Sequence, residues 1–216
     1  MRSDLGLSAG ALGIALLGLP VGALSAQPLV GAVTVRVGSR PVVLVALLVY
    51  SAVLVLPVLA PSGALLFAAL VLMGVAAGAV DVSMNVQGSA LEQTMGRPIL
   101  SSLHAAYSFG ALAGAANGTL AEAVGIDPAL HLGVTAALLA LAGVASARRL
   151  LPADEDAEPG GPLFARPTRA LAALGAIGFC VALAEGAAMD WSAVYVRDSL
   201  SASPATPAEA LSESRT

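Results

Sequence analysis

The sequence predicts an all-α, polytopic membrane helix bundle, and three observations predict it. Apolar residues fill 57% of the 216 positions and charged ones only 11%, with mean hydropathy +0.87. Soluble domains run at about a quarter charged. Six apolar runs approach or exceed the ~20 residues that a bilayer-spanning helix needs. The basic residues gather in alternate connections between those runs, as the positive-inside rule requires.

The first run extends from about Leu7 to Val35, interrupted by Pro20 and Pro28. The second is Pro41 to Ala60, closed by the turn Pro61-Ser62-Gly63. The third, Ala64 to Val86, and the fourth, Leu100 to Ala123, flank a short polar turn through Glu92 and Arg97. The fifth is Leu130 to Ala147, and the sixth starts near Leu171 and ends by Tyr195. Proline and glycine within such runs are tolerated because neighbours and water satisfy the freed backbone groups. Small residues at four-residue spacing, Gly74 with Gly78 and Gly110 with Gly114 and Gly118, predict faces where helices approach closely.

Arg36 and Arg40 lie in the first connection, Arg97 in the third, and Arg148, Arg149, Arg166 and Arg169 in the fifth. Seven arginines on one side against three on the other place those connections in the cytoplasm and the N-terminus outside. Met1 to Gly6 carries only Arg2, and no short apolar core with a cleavage site follows, so no signal peptide is read. An outside N-terminus without a preceding span inserts poorly, so a further helix before Met1 is expected. The domain reading is a first bundle over 1–147, a cytoplasmic linker over 148–169, the first helix of a second bundle over 170–197, and a disordered tail over 198–216. Pro152, an acidic run and Pro159-Gly160-Gly161-Pro162 give the linker its composition. That acidic run accounts for most of the net charge of −4, which argues for no nucleic-acid partner. The single cysteine, Cys180, excludes an internal disulfide and reads as a small apolar residue.

Polar side chains inside membrane-length helices are costly unless they face a cavity or a partner. Gly74 to Gly114 is therefore the informative stretch. Asp81 and Asn85, four apart, share one helix face that continues the Gly74–Gly78 stripe. A desolvated carboxylate there can take up and release a proton in the working pH range; the alternative is an acid that snorkels to the interface. His104, Tyr107 and Ser108 share a face of the next helix. An imidazole titrates near neutrality, and a phenol offers hydrogen bonding and an aromatic surface; the alternative for His104 is an interhelical bond to Asn85 or Asp81. Glu185, inside the sixth run, is a second pathway carboxylate, whereas Trp191 and Tyr195 suit an aromatic belt at the interface. Gln27 and Asn117 read as helix–helix hydrogen-bonding groups. Metal-ligand spacing, phosphate-binding glycine loops and dinucleotide fingerprints are absent from the sequence, so no cofactor or metal is expected. Ser101, Ser102, His104 and Asp81 suggest a hydrolase triad only superficially, since no Gly-x-Ser-x-Gly elbow accompanies them. The chain is read as a non-enzyme.

Gly31-Ala-Val-Thr-Val-Arg36-Val-Gly38-Ser-Arg40 resembles the loop signature Gly-x-x-x-Asp-Arg-x-Gly-x-Arg of the major facilitator superfamily, with Val35 at its acidic position. Asp81-Val-Ser-Met-Asn85 and Ser108-Phe109-Gly110 resemble the fucose permease branch and its bacterial relatives, as do Glu185-Gly186 and Asp190-Trp191-Ser192. The resemblance runs to about Pro204 and implies a fold of two six-helix bundles around a midplane site. It aligns this chain with family helices two to seven, so it implies a fragment lacking helix one and helices eight to twelve. It implies a secondary transporter in the cell's inner (plasma) membrane, a proton-coupled symporter of a small polar solute, with a sugar as the class the branch suggests. Asp81 and Glu185 would serve proton coupling. Asn85, His104, Tyr107 and Ser108 would line the solute site, and Gly31, Arg36, Gly38 and Arg40 would form the gating loop. Tyr107 replaces the branch's sugar-site asparagine, which leaves the solute class open. The rival expectation is an inactive membrane fragment, or one acting only by helix association.

Overall fold

A computed structural model describes Leu5 and residues 7–160 and 168–199, with side chains to Ala188 in its last helix. The tail expected to be disordered and the side chains of Asp190, Trp191 and Tyr195 lie outside the described residues. Every regular element among the described residues is helical. The chain forms two compact units, Met1–Phe164 and Ala165–Thr216.

In the first unit, α1 (Ala9–Leu16) and α2 (Gly18–Val37) are separated only by Leu17 and make up one apolar span, Gly10–Val37. Pro20 has no N–H for the carbonyl of Leu16, which accounts for the break. The same chemistry divides the second run. Pro57 cannot donate to Val53, and α3 (Ser39–Val53) stops there before a short α4 (Leu56–Leu59) completes the span. Helix α5 (Gly63–Met95) outruns the expected Ala64–Val86 by more than two turns. Glu92 is therefore helical, and the turn lies at Gly96, whose φ of 62° ends the helix in the left-handed region. At ~1.5 Å per residue α5 exceeds the ~30 Å bilayer core, so part of it projects beyond the core. Helices α6 (Leu100–Ala123) and α7 (Pro128–Ser146) follow, and Asp127 Oδ1 caps α7 by accepting from the Leu130 N–H at 3.0 Å.

The α2–α5 pair is the centre of the first unit, and glycines bring it together. A Cβ at Gly18 or Gly22 would collide with the Phe67 or Val71 carbonyl, and one at Gly74 with the Leu19 carbonyl. One at Gly78 would stand 2.9 Å from the Ala23 oxygen. The Gly74–Gly78 face thus packs as expected, with Gly18 and Gly22 as its counterpart. The Gly110–Gly114–Gly118 row does not. No atom lies within 4 Å of the Cβ positions there, and α6 buries only Ala121. Its small residues meet no helix among the described ones.

Among the described residues, five helical segments are long and apolar enough to cross a membrane: Gly10–Val37, Ser39–Leu59, Gly63–Met95, Pro128–Arg149 and Arg169–Ala188. The fourth expected span, α6, has the length but is diluted by Ser101, Ser102, His104, Ser108, Asn117 and Glu122. Connectivity nevertheless requires it to cross. Residues 153–158 contact the α2–α3 turn, with the Glu158 N–H donating to the Val35 carbonyl at 2.7 Å. These two segments therefore share one side of the membrane, and an even number of crossings must separate them. Ser39–Leu59, Gly63–Met95 and Pro128–Arg149 supply three. Helix α6 is the fourth.

The second unit contains α8 (Arg169–Ser199), begun by Thr168, whose Oγ1 accepts from the Leu171 N–H at 3.3 Å. Glu185 lies on it, exposed.

Candidate solute site on helix α5

The glycine contact between α2 and α5 ends at Gly78, and a cavity of about 530 Å³ opens at that level. Its polar lining is Gln27 from α2, Tyr50 from α3, Asp81 from α5 and Tyr107 from α6. Ala23, Leu47, Val80, Met84 and Leu139 supply apolar wall, so all five long helices of the unit contribute. Such a volume suits a small organic molecule.

Asp81 is fixed from its own helix. Asn85 Nδ2 donates to Asp81 Oδ1 at 3.0 Å and to the Asp81 carbonyl at 2.9 Å. One carboxylate oxygen is thus held by an amide, and the exposed carboxylate has no arginine within ion-pair distance among the described residues. Tyr107, 64% exposed, lines the same space. The structure therefore brings Asp81, Asn85 and Tyr107 together. His104 and Ser108 behave differently. His104 Nδ1 lies 3.1 Å from the Leu100 carbonyl, so it carries the proton and donates to its own helix. Ser108 Oγ donates to the His104 carbonyl at 3.1 Å. Neither lines the cavity, and His104 makes no bond to Asn85 or Asp81. Self-bonding is the inexpensive choice for a polar side chain on an exposed helix face.

Tyr50 and Gln27 join the site without having been singled out for it. Gln27 forms no helix–helix hydrogen bond among the described residues, and neither does Asn117, which is exposed. The signal for Gln27 was an amide in an apolar run; for Tyr50 it was a phenol a few residues before Pro57.

The loop of Gly31, Arg36, Gly38 and Arg40 sits at the other end of α2. Gly38 has φ 78°, and the space beside its Cα is filled by Ala153, so any side chain there would be both strained and obstructed. Gly31 has open space around it. Arg36 is exposed and Arg40 half-buried, with no ion pair for either among the described residues. Ser39 is fully buried, and its Oγ donates to Gln87 Oε1 at 2.6 Å, tying the start of α3 to α5. Glu92, near the end of α5, accepts from the Ile99 and Leu100 N–H groups at 2.8 and 3.0 Å and so caps α6.

Membrane-length helices, glycine-mediated packing and a cavity between helices that a carboxylate lines define a polytopic membrane protein. The family model of the Major Facilitator Superfamily matches residues 1–211, and the chain belongs to that family. It is 33% identical over 195 residues to an uncharacterised transporter of the same type from Yersinia pestis, covering 90% of this chain and 50% of that protein. An uncharacterised transporter from Sinorhizobium fredii is 35% identical over 189 residues, 86% of this chain and 50% of that protein. Membrane protein MosC of Rhizobium meliloti is 39% identical over 103 residues, 48% of this chain and 25% of that protein. The chain spans about half the length of the first two relatives. No solved structure matches it.

Proposed function

We propose that this chain carries the solute site of a proton-coupled secondary transporter in the inner membrane, working by alternating access on a small polar solute. The observation that carries the reading is the cavity of about 530 Å³ in which Asp81, oriented by Asn85, meets Tyr107, Tyr50 and Gln27. Asp81 takes up the proton, and its change of charge alters how the cavity holds a polar solute. Tyr107, Tyr50 and Gln27 give hydroxyl and amide partners to the solute, and the apolar wall excludes competing water. His104 and Ser108 share the helix face of Tyr107 and join the pathway where it opens. Glu185 is the second proton-coupling carboxylate. A sugar is the solute class that the fucose permease resemblance suggests.

The test fills the cavity. Ala77 lines it beside Gly78, and Ala77→Trp fills its volume without removing any charged group. In proteoliposomes with an imposed proton gradient and L-fucose, then a panel of neutral sugars and other polar solutes, the unsubstituted chain shows saturable uptake. Ala77→Trp abolishes it while the protein still inserts. Equal uptake by both proteins contradicts a pathway through this cavity.

A second reading rests on one observation. Large apolar side chains on α6, Phe109 at 73% and Leu112 at 67% exposed, meet no helix of the first unit. On this reading the 216-residue chain transports nothing and associates with other membrane helices through that face. Saturable uptake by the chain alone contradicts it.

A further inference from the structure

The loop signature that this sequence resembles carries a carboxylate at the position of Val35, which has none. The fold brings one to the same turn from more than a hundred residues away. Both oxygens of Asp156 lie within reach of the Ser39 N–H, Oδ1 at 3.0 Å and Oδ2 at 3.3 Å. Ser39 opens α3, and its cap residue Gly38 has no side chain to satisfy the first-turn donors. An anion at that place meets a free N–H and the positive end of the helix dipole together. Because Ser39 is fully buried, water competes poorly for the bond.

Two further contacts register the same segment. The Ala153 backbone and Cβ occupy the space beside Gly38, and the Glu158 N–H donates to the Val35 carbonyl at 2.7 Å. Residues 153–158 are thus stitched to the α2–α3 turn at three points, and Asp156 contributes the only charged group among them. This segment belongs to the connection between α7 and α8.

We propose that Asp156 is a positioning residue, the catch of a latch that holds the α7–α8 connection against the α2–α3 turn and opens during the transport cycle. It supplies from that connection the carboxylate that position 35 lacks. A movement of either unit that pulls on the connection works against this catch, and release costs a charge-assisted hydrogen bond. The opening step rests on the transport reading above; the catch itself does not.

The test uses the whole chain in membranes, with Cys180→Ala to remove the single native thiol. Val35→Cys with Glu158→Cys places a thiol pair at the backbone contact and spares Asp156. Mild oxidation cross-links this pair rapidly. Asp156→Ala slows the cross-linking by about tenfold or more, the loss set by one charge-assisted hydrogen bond, and Asp156→Glu restores most of the rate. Unchanged cross-linking in Asp156→Ala overturns the catch. Uptake of a transported solute under a proton gradient falls in the oxidised pair and returns on reduction; equal uptake in both states overturns the opening step. If the reduced chain takes up no solute, the transport reading fails, and the opening step with it. The catch is then decided by the cross-linking rates alone.

Discussion

Asp81 and Asn85 stand one turn apart on α5, and the 3.0 Å bond between their side chains directs the carboxylate into space shared with Tyr107. The positions of Asp81 and Tyr107 were legible because a carboxylate or a phenol within an apolar helix demands an explanation. Tyr50 was not, since an aromatic ring in an apolar run looks the same whether it meets lipid or a cavity. His104 shows the opposite limit: spacing placed it beside Tyr107, but its bond to the Leu100 carbonyl is a local choice that spacing does not encode. Two predictions belong at this scale. Tyr50→Phe and Gln27→Ala each weaken apparent solute affinity several-fold, the effect of losing about 1 kcal/mol of hydrogen bonding; saturation curves for uptake provide the check. Gly38→Ala lowers stability by about 1–2 kcal/mol, because a left-handed φ is unfavourable with a Cβ and Ala153 fills the adjacent space. Thermal unfolding in detergent measures it.

At the scale of elements, proline and glycine set both the breaks and the contacts. Pro20 and Pro57 interrupt their spans whereas Pro28 stays within α2, and the remaining helix on each side of a break preserves the crossing. The glycine spacing on α5 correctly marked a close approach, but spacing alone did not name the partner, which is the Gly18–Gly22 face of α2. The same spacing on α6 marked a contact that no described helix makes. A small residue permits approach without causing it. These two rows therefore predict opposite outcomes. Gly74→Leu forces α2 from α5 and destabilises the chain by on the order of 2–4 kcal/mol, as overpacking of a tight interface does. Gly114→Leu, facing open space, leaves the unfolding temperature of this chain unchanged. A comparable loss from both substitutions contradicts the assignment of the α2–α5 face.

Across the whole molecule, the number of spans is settled by parity rather than by hydropathy. Helix α6 reads as a span from its length, yet its polar residues lower its apolarity; the contact between residues 153–158 and the α2–α3 turn restores it to the count. No periodicity announces that contact, which joins positions 117 apart in the chain. It predicts a labelling pattern. Single cysteines at Gly96 and Ala157 react with an impermeant thiol reagent from the same side of the membrane, and cysteines at Ser62 and Gly125 react from the opposite side. Labelling of Gly96 and Gly125 from one side contradicts a spanning α6. The chain belongs to the Major Facilitator Superfamily, and the matched region spans about half the length of the first two relatives.

If Asp81 is the group that couples proton to solute, the most direct measurement is proton uptake driven by solute in vesicles carrying Asp81→Asn. Asparagine keeps the size of the side chain and one oxygen that can accept from Asn85 Nδ2, but cannot take up a proton. The substitution then abolishes solute-driven proton uptake while the protein continues to insert and to bind solute. Undiminished proton uptake by Asp81→Asn, sustained between about pH 5 and pH 8, contradicts that role.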